Sequence, residues 1–219
     1  CSMGSVAWMS VLIGWRNLCG LLVLAVGASP VFGKGPLQVP QEASMCSQGM
    51  IQAVARQEIE YLRREYAKAT DMIGLGTPEA IAEGRSIYQR IFTPDVDFSV
   101  SGSGTQPLAA TGPDGWVDVV HGALGPMGPT QHLIGTQLVE FDVLEWDEQC
   151  VVTSGAARMQ SYVQAWHDQA EREVWLFLGT YFDEVVYGKA LGWQIKAMEL
   201  RRVTGENRPS GEAVATVPL

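Results

Sequence analysis

The stretch TQHLIGTQLVEFD, residues 130–142, begins the part of the chain in which helical periodicity gives way to strand-like periodicity. From this point, four long segments rich in β-branched and aromatic residues follow one another. They occupy residues 130–145, 150–167, 173–187 and 192–203. Short polar or glycine-containing turns separate them, so the sequence predicts an antiparallel meander of long strands.

A long amphipathic helix is predicted before these strands, beginning near Gln48 or Gly49. Apolar residues recur there at spacings of three and four, which places them on one helical face. These residues are Ala55, Ile59, Leu62, Tyr66, Ala69 and Ile73. The other faces are expected to carry Arg56, Glu60, Arg63, Arg64 and Lys68.

Two shorter helices are predicted between the long helix and the strands. The first begins at Thr77-Pro78-Glu79, which combines a capping hydroxyl, a proline at the first helical position and an early acid. The second follows Pro113, and a short strand is expected in TPDVDFSVSG, residues 93–102. Helices first and strands later indicate an α+β fold with the helices on one face of a curved sheet.

The composition fits a globular protein whose main partner is not a nucleic acid. The chain has 219 residues, of which 47% are hydrophobic and 18% charged, and its formal net charge is -9. This length is typical of one domain with extensions. Because Lys and Arg form no long run in an acidic chain, the basic surface that nucleic acid requires is not expected.

The first 33 residues read as a signal peptide or an N-terminal apolar segment. Arg16 precedes an apolar run at 18–28, and small residues follow it. This pattern predicts export with cleavage near Ala28 or Gly33, and the alternative is a membrane anchor.

The rest of the chain divides into three parts by composition. We predict a linker at 34–47, one α+β domain at 48–204 and a flexible polar tail at 205–219.

The cysteines and glycines point to no metal or cofactor. Cys46 and Cys150 remain after removal of a signal peptide, and they are either a disulfide or two unrelated thiols. No Cys/His cluster has zinc-like spacing, and no glycine-rich phosphate loop follows a strand. We therefore expect neither a metal nor an organic cofactor.

Five motifs together resemble the SnoaL-like family of the nuclear transport factor 2-like superfamily. They are EYAKATDMIG, YQRIFTPDVDF, TQHLIGTQLVEFD, GTYFDEVV and GWQIKAMEL, and they span about residues 50–203. The resemblance implies a cone-shaped fold, in which a strongly curved antiparallel sheet wraps around the long N-terminal helix and two further helices to enclose a pocket. Members with similar motifs include scytalone dehydratase and a bile-acid dehydratase.

The resemblance also implies site residues, which are matched here one by one. Tyr66, Asp71 and His132 correspond to the family's catalytic tyrosine, aspartate and histidine. Each has an alternative interpretation: Tyr66 and His132 as ordinary core residues, Asp71 as a solvent-facing helix end. The candidate substrate-binding residues are Tyr181, Asp183, Trp116 and Phe98, and the alternative for Asp183 is a structural residue that bonds a neighbouring strand or loop. His121 and His167 are expected at the surface.

Two features depart from the family pattern. The connection between Asp71 and Phe92 is longer than usual, which could reshape the mouth of the pocket. Gln194 and Lys196 stand where basic or small residues are more common, which puts in doubt any role that needs an arginine there.

The leading hypothesis is a cofactor-independent lyase (dehydratase) or isomerase acting on a hydrophobic cyclic small molecule, steroid- or polyketide-like. His132, oriented by Asp71, would remove a proton α to a carbonyl, and Tyr66 would stabilise the enolate. The alternative is a non-catalytic exported protein that binds a ligand or serves as an assembly module. A homo-oligomer, dimer or trimer, is also expected, because relatives often associate through the open face of the sheet.

Overall fold

The computed structural model describes residues 46–169 and 172–210. The elements follow the chain as α1, α2, β1, β2, α3 and then β3 to β6. The helices are α1 (Gln48–Gly74), α2 (Pro78–Ile91) and α3 (Pro113–Leu124). The strands are β1 (Phe92–Gly102), β2 (Leu108–Thr111), β3 (Thr130–Trp146), β4 (Val152–Gln169), β5 (Glu173–Gly188) and β6 (Gly192–Pro209).

The six strands form one sheet in the order β2-β1-β6-β5-β4-β3. The four long strands are antiparallel neighbours, as predicted, and only β1 and β6 run parallel. Register shifts in β3, between Gly135 and Leu138 and between Phe141 and Val143, interrupt its pairing with β4. Such irregularities bend and twist a strand, which allows the sheet to curve around α1. The α+β fold class is confirmed.

Helix α1 packs its predicted apolar stripe into the core, and all six stripe residues are buried. Thr77 caps α2, because its Oγ1 accepts a hydrogen bond of 3.2 Å from the backbone N–H of Ala80. The prediction that Arg63 lies on a polar face is wrong. Its side chain is fully buried, paired with Asp183 on β5.

Two features of the sheet were not predicted. β2 has only four residues, mostly exposed, and is too short to show a period. β6 continues through 205–209, so the prediction that the flexible tail begins at 205 is wrong. Pro209 is opposite Glu173 and Gly205 is opposite Phe177, so the neighbouring long strand holds this polar stretch in the sheet.

The predicted N-terminal apolar segment, nearly all of the linker and the end of the tail lie outside the described residues. Within the described part of the chain, none of the helices combines the length and apolar character needed to cross a membrane.

A disulfide joins Cys46, just before α1, to Cys150 in the turn between β3 and β4. The sequence had left two unpaired thiols as an equal alternative. The bond ties the beginning of the long helix to the far end of the sheet.

Replacing both cysteines with serine is expected to lower the free energy of unfolding by about 2–4 kcal/mol. The sequence separation of 104 residues makes the closed loop long, so the bond strongly restricts the unfolded chain. Denaturant unfolding of the oxidised protein and the double variant measures the difference. A loss below about 0.5 kcal/mol would contradict the structural role given to this bond.

Candidate active site

A cavity of about 200 Å³ lies between α1, α3 and the sheet. Its walls are mostly apolar, and their aliphatic part includes Val100, Leu108, Val119, Val120, Leu124 and Met127. Aromatic and polar side chains from α1, α3, β3, β4 and β5 complete the lining. An apolar cavity with a few convergent polar groups is the usual form of a small-molecule site.

A larger depression of about 480 Å³ lies elsewhere on the sheet. Its polar lining comes from exposed side chains such as Asp97, Glu140, Arg158 and Glu184. Neither a histidine nor a phenol, the groups predicted to carry the chemistry, is among its lining residues. The smaller, apolar cavity is therefore the better candidate site.

The structure brings Asp71 and His132 together at one end of the cavity. Asp71 lies in the last turn of α1, and its Oδ1 is 2.7 Å from Nδ1 of His132. The same carboxylate accepts hydrogen bonds from the Thr130 hydroxyl, at 2.9 Å, and from the backbone N–H of His132, at 3.1 Å. Asp71 therefore fixes both the strand and the ring.

This contact also sets the tautomer of His132. A carboxylate can only accept, so Nδ1 carries the proton and Nε2 keeps its lone pair. His132 lines the cavity, whereas Asp71 does not. The imidazole thus forms part of the cavity wall, and its carboxylate partner holds it from outside the lining.

A second histidine, His167, lies beside the first, and our prediction that it is a surface residue is wrong. It is only 3% exposed, lines the cavity, and its ring centroid is 5.7 Å from that of His132. On β4 it has the same parity as Val163 and Ala165, both buried. The alternation of β4 could have revealed this inward position.

The tautomer of His167 is also determined. Its Nδ1 is 3.1 Å from the carbonyl oxygen of Trp175, an acceptor, so Nδ1 donates and Nε2 is free to accept. Burial, followed by the charge of the neighbouring His132, lowers the pKa of His167 to about 4. The ring is therefore neutral near physiological pH.

The neutral state of His167 predicts a pH dependence of stability. Its folded pKa of about 4 is below the unfolded value of 6.5, so the unfolded chain binds more protons between these limits. Stability from this group is complete above pH 6.5 and is lost as the pH falls toward 4. Wild-type protein should therefore lose more stability over this range than His167→Asn, which does not titrate there.

Urea unfolding of both proteins at a series of pH values tests this expectation. The Asp71 and His132 groups that face His167 are common to both proteins, so the comparison isolates the titration of residue 167. Equal pH slopes in the two proteins would mean that His167 titrates as an exposed imidazole does.

Two tyrosines and a tryptophan form the polar part of the remaining wall. Tyr66, Tyr181 and Trp116 all line the cavity. The indole N–H of Trp116 donates to the hydroxyl oxygen of Tyr66 at 3.2 Å, which leaves the proton of Tyr66 available to a ligand. The two phenol rings meet edge to face, with their centroids 5.5 Å apart.

A third tyrosine supports Tyr66 from outside the cavity. Tyr88 stacks on Tyr66 with a centroid separation of 5.4 Å. The hydroxyl of Thr70 donates to the Tyr66 carbonyl at 2.8 Å, so the Tyr88 hydroxyl, 2.6 Å from Thr70 Oγ1, is the donor in that contact. Ring contacts with Tyr88 from α2 and Tyr181 from β5 thus fix the Tyr66 ring.

Two predicted substrate-binding residues do not line this cavity. Phe98 stacks on Trp116 with a centroid separation of 4.7 Å, and it supports the wall from behind. Asp183 is directed to Arg63 and its side chain is fully buried. Both residues instead line the larger depression, so the prediction that Phe98 and Asp183 share a site with Tyr181 and Trp116 is corrected.

Among residues 46–169 and 172–210, no group of three His, Cys, Asp or Glu side chains is placed to hold a metal ion. The polar groups of the cavity are histidines, phenols, an indole and hydroxyls. These groups can donate and accept hydrogen bonds, and the imidazoles can also exchange protons.

Residues 85–199, more than half of the chain, match the family described as SnoaL-like domain. No curated protein sequence matches the chain.

Several solved structures share the fold. A protein from Novosphingobium aromaticivorans, provisionally described as a scytalone dehydratase, is 22% identical with a TM-score of 0.54, over 77% of this chain and 99% of that one. A provisional aromatic ring hydroxylase from the same organism is 21% identical with a TM-score of 0.52, over 72% and 94%. The hexachlorocyclohexane dehydrochlorinase LinA-type3 of Novosphingobium barchaimii is 14% identical with a TM-score of 0.56, over 78% and 99%.

Proposed function

The chain belongs to the SnoaL-like family, and on this premise we propose that it is a cofactor-independent lyase or isomerase acting on a hydrophobic cyclic small molecule. The observation that carries the proposal is the orientation of His132. Asp71 holds Nδ1 at 2.7 Å, so Nε2 is the basic nitrogen available to a ligand in an apolar cavity. The names of two similar structures, a dehydratase and a dehydrochlorinase, both describe eliminations.

In the proposed reaction, Nε2 of His132 removes a proton from the carbon α to a carbonyl. The hydroxyl of Tyr66 donates a hydrogen bond to the carbonyl oxygen, where negative charge develops. The resulting imidazolium is stabilised by the Asp71 carboxylate. It then returns the proton, either to a departing β-hydroxyl, which leaves as water, or to another carbon, which shifts the double bond.

His167 completes the polar side of the cavity. Because its Nε2 is an acceptor and the ring is neutral, it is suited to accept a hydrogen bond from a substrate hydroxyl. A neutral second ring also avoids the repulsion that two adjacent imidazolium ions would create. We assign it a binding role and His132 the proton transfer.

The lining limits the substrate to a compact uncharged ring compound. No Lys or Arg is among the described residues that line the cavity, so an anionic group would find no counter-charge there. A volume of about 200 Å³ is below the range of about 300–1,000 Å³ of typical ligand pockets. This favours one or two fused rings of the polyketide type over the four rings of a steroid.

A substrate panel tests the proposal. The purified protein would be incubated with one- and two-ring β-hydroxy ketones, ring-matched carboxylic acids and steroid ketones, and both binding and turnover would be followed. We expect turnover of a β-hydroxy ketone, with the acids and steroids rejected. Binding without turnover across the panel would support the rival function, a non-catalytic exported ligand-binding or assembly module.

Export and self-association complete the proposal. The disulfide supports an oxidising compartment, and hence export after cleavage of the segment 1–33, with membrane anchoring as the alternative.

Exposed apolar side chains on the sheet, Leu133, Tyr162 and Trp166, support a homodimer or homotrimer formed through this face. N-terminal sequencing of the exported protein and light scattering would test these two points.

A further inference from the structure

A buried ion pair lies behind the two cavity phenols. Arg63 on α1 and Asp183 on β5 form a salt bridge, and both side chains are fully inaccessible to solvent. The second terminal nitrogen of Arg63, Nη1, is 3.3 Å from the sulfur of Met198. Neither residue lines the cavity.

This pair is poorly satisfied for its position. Nε of Arg63 and Oδ2 of Asp183 have no hydrogen-bond partner among the residues that the structure describes. Removing two charges from water is costly, and a buried pair is often no more stable than apolar residues of the same size. A gain in the stability of the fold therefore does not explain well why a charged pair occupies this point of the core.

The guanidinium lies against both phenol rings that the cavity uses. Its central carbon is 3.9 Å from the ring centroid of Tyr181 and 4.5 Å from that of Tyr66. Each ring thus has the cation over its face and also lines the cavity. The carboxylate of Asp183 holds the guanidinium in this position.

We propose that Arg63, held by Asp183, is a positioning residue that orients the Tyr66 and Tyr181 phenols and makes them stronger hydrogen-bond donors to an oxygen in the cavity. This inference rests on the proposed function and names the source of its electrostatic stabilisation. When a phenol donates to a developing oxyanion, negative charge grows on the phenol oxygen. A cation at the ring face stabilises that charge, and it does so strongly because water is excluded.

The other titratable groups near the phenols do not supply this effect. Tyr88 is a neutral phenol, His167 is a neutral imidazole, and His132 is paired with Asp71. Burial raises the pKa of Tyr181 well above its usual value, and the charge of Arg63 opposes this more strongly than that of Asp183 adds to it. Arg63 is the cation whose central carbon lies closest to the Tyr181 ring among the described residues.

The test measures the acidity of the phenol without any substrate. A ring-fluorinated tyrosine is incorporated at position 181, and its phenolate absorbance is followed against pH in the full chain. The midpoint is compared between the otherwise wild-type protein and the Arg63→Met/Asp183→Leu double variant, which removes both charges and retains similar volume. The matched control is Arg64→Met, one residue along α1, where the guanidinium is half-exposed and paired with Glu60.

In the double variant, the midpoint of the phenol titration at position 181 is expected to rise by about one pH unit or more. A charge within about 4–6 Å of a titrating group shifts its pKa by that much. Arg64→Met should leave it unchanged. Arg63→Lys, which keeps the cation, should retain most of the effect, and Asp183→Asn, which keeps Arg63 without its counter-charge, should lower the midpoint. An unchanged or lower midpoint in the double variant would overturn the inference. If that variant does not fold, an unchanged or raised midpoint in Asp183→Asn would overturn it instead.

Kinetics on any substrate found by the panel provide the second readout. The double variant should lower kcat about tenfold with little change in KM, because the interaction strengthens only as charge develops. An unchanged kcat would reject the role in catalysis. If the panel shows no turnover while the midpoint shifts as expected, the proposed function fails but the effect of Arg63 on the phenol stands.

Discussion

Replacing His132 with alanine is expected to reduce turnover by about 10²–10⁴-fold, the usual contribution of a general base. The side chain lines an apolar cavity, and Asp71 directs its basic nitrogen toward a ligand. In its absence no other unprotonated base is held in this position. His167 is a weak substitute because burial, the largest cause of its lowered pKa, remains in the variant and makes the ring a poor base.

The fold of His132→Ala should be retained. Asp71 still accepts hydrogen bonds from the Thr130 hydroxyl and from the backbone N–H of residue 132, so no carboxylate oxygen loses every partner. His121→Ala serves as the control, because His121 is exposed near the end of α3. Wild-type turnover in His132→Ala, or an equal loss in both variants, would be incompatible with the assigned role.

Replacing Arg63 with methionine alone is expected to be the most destabilising single substitution considered for this chain. It leaves Asp183 buried and without its cation, and breaking a buried pair in this way typically costs about 3–5 kcal/mol. The Arg63→Met/Asp183→Leu variant should recover most of that loss, since it removes the second charge as well.

The coupling between these residues is measured by denaturant unfolding of four proteins. They are the wild type, Arg63→Met, Asp183→Leu and the double variant. We expect a strongly non-additive cycle, in which the double variant is more stable than Arg63→Met. Additive losses would mean that the two charges do not depend on one another. The exposed pair between Lys68 and Glu83 offers a comparison, for which a coupling of at most about 1 kcal/mol is expected.

Periodicity predicted most of the framework. The spacing of Ala55, Ile59 and Ile73 identified α1, and β-branched segments separated by turns identified the four long strands, because both patterns are local. The residues 205–209 were missed because their side chains are mostly exposed and polar, so only the neighbouring β5 holds them in the sheet. β2 was missed because four mostly exposed residues are too few to show a period.

The residues of the site were harder to predict from the sequence than the fold was. The spacing of Arg63, four residues after Ile59, already placed it on the apolar stripe, but its charge argued for the surface. Its burial depends on Asp183, which is 120 residues away in the chain. His167, by contrast, could have been placed inside from the alternation of Val163 and Ala165 on β4.

The pairing of Asp71 with His132 was predicted from the family resemblance and not from any local sequence pattern. Asp71 lies in the last turn of a helix, and His132 lies 61 residues later, near the start of a strand. No periodicity connects the two residues. The structure supplies what the resemblance lacked, namely the distance between the two side chains and the tautomer that follows from it.

Exchange of α-hydrogens for deuterium in a two-ring ketone, followed by NMR in heavy water, tests proton abstraction by His132 most directly. This measurement requires neither the natural substrate nor a complete turnover. The wild type and His121→Ala should accelerate exchange equally, and His132→Ala should reduce the acceleration by about 10²-fold or more. Exchange that is no faster with the wild type than in buffer, or equally fast with His132→Ala, would contradict the assignment of His132 as the base.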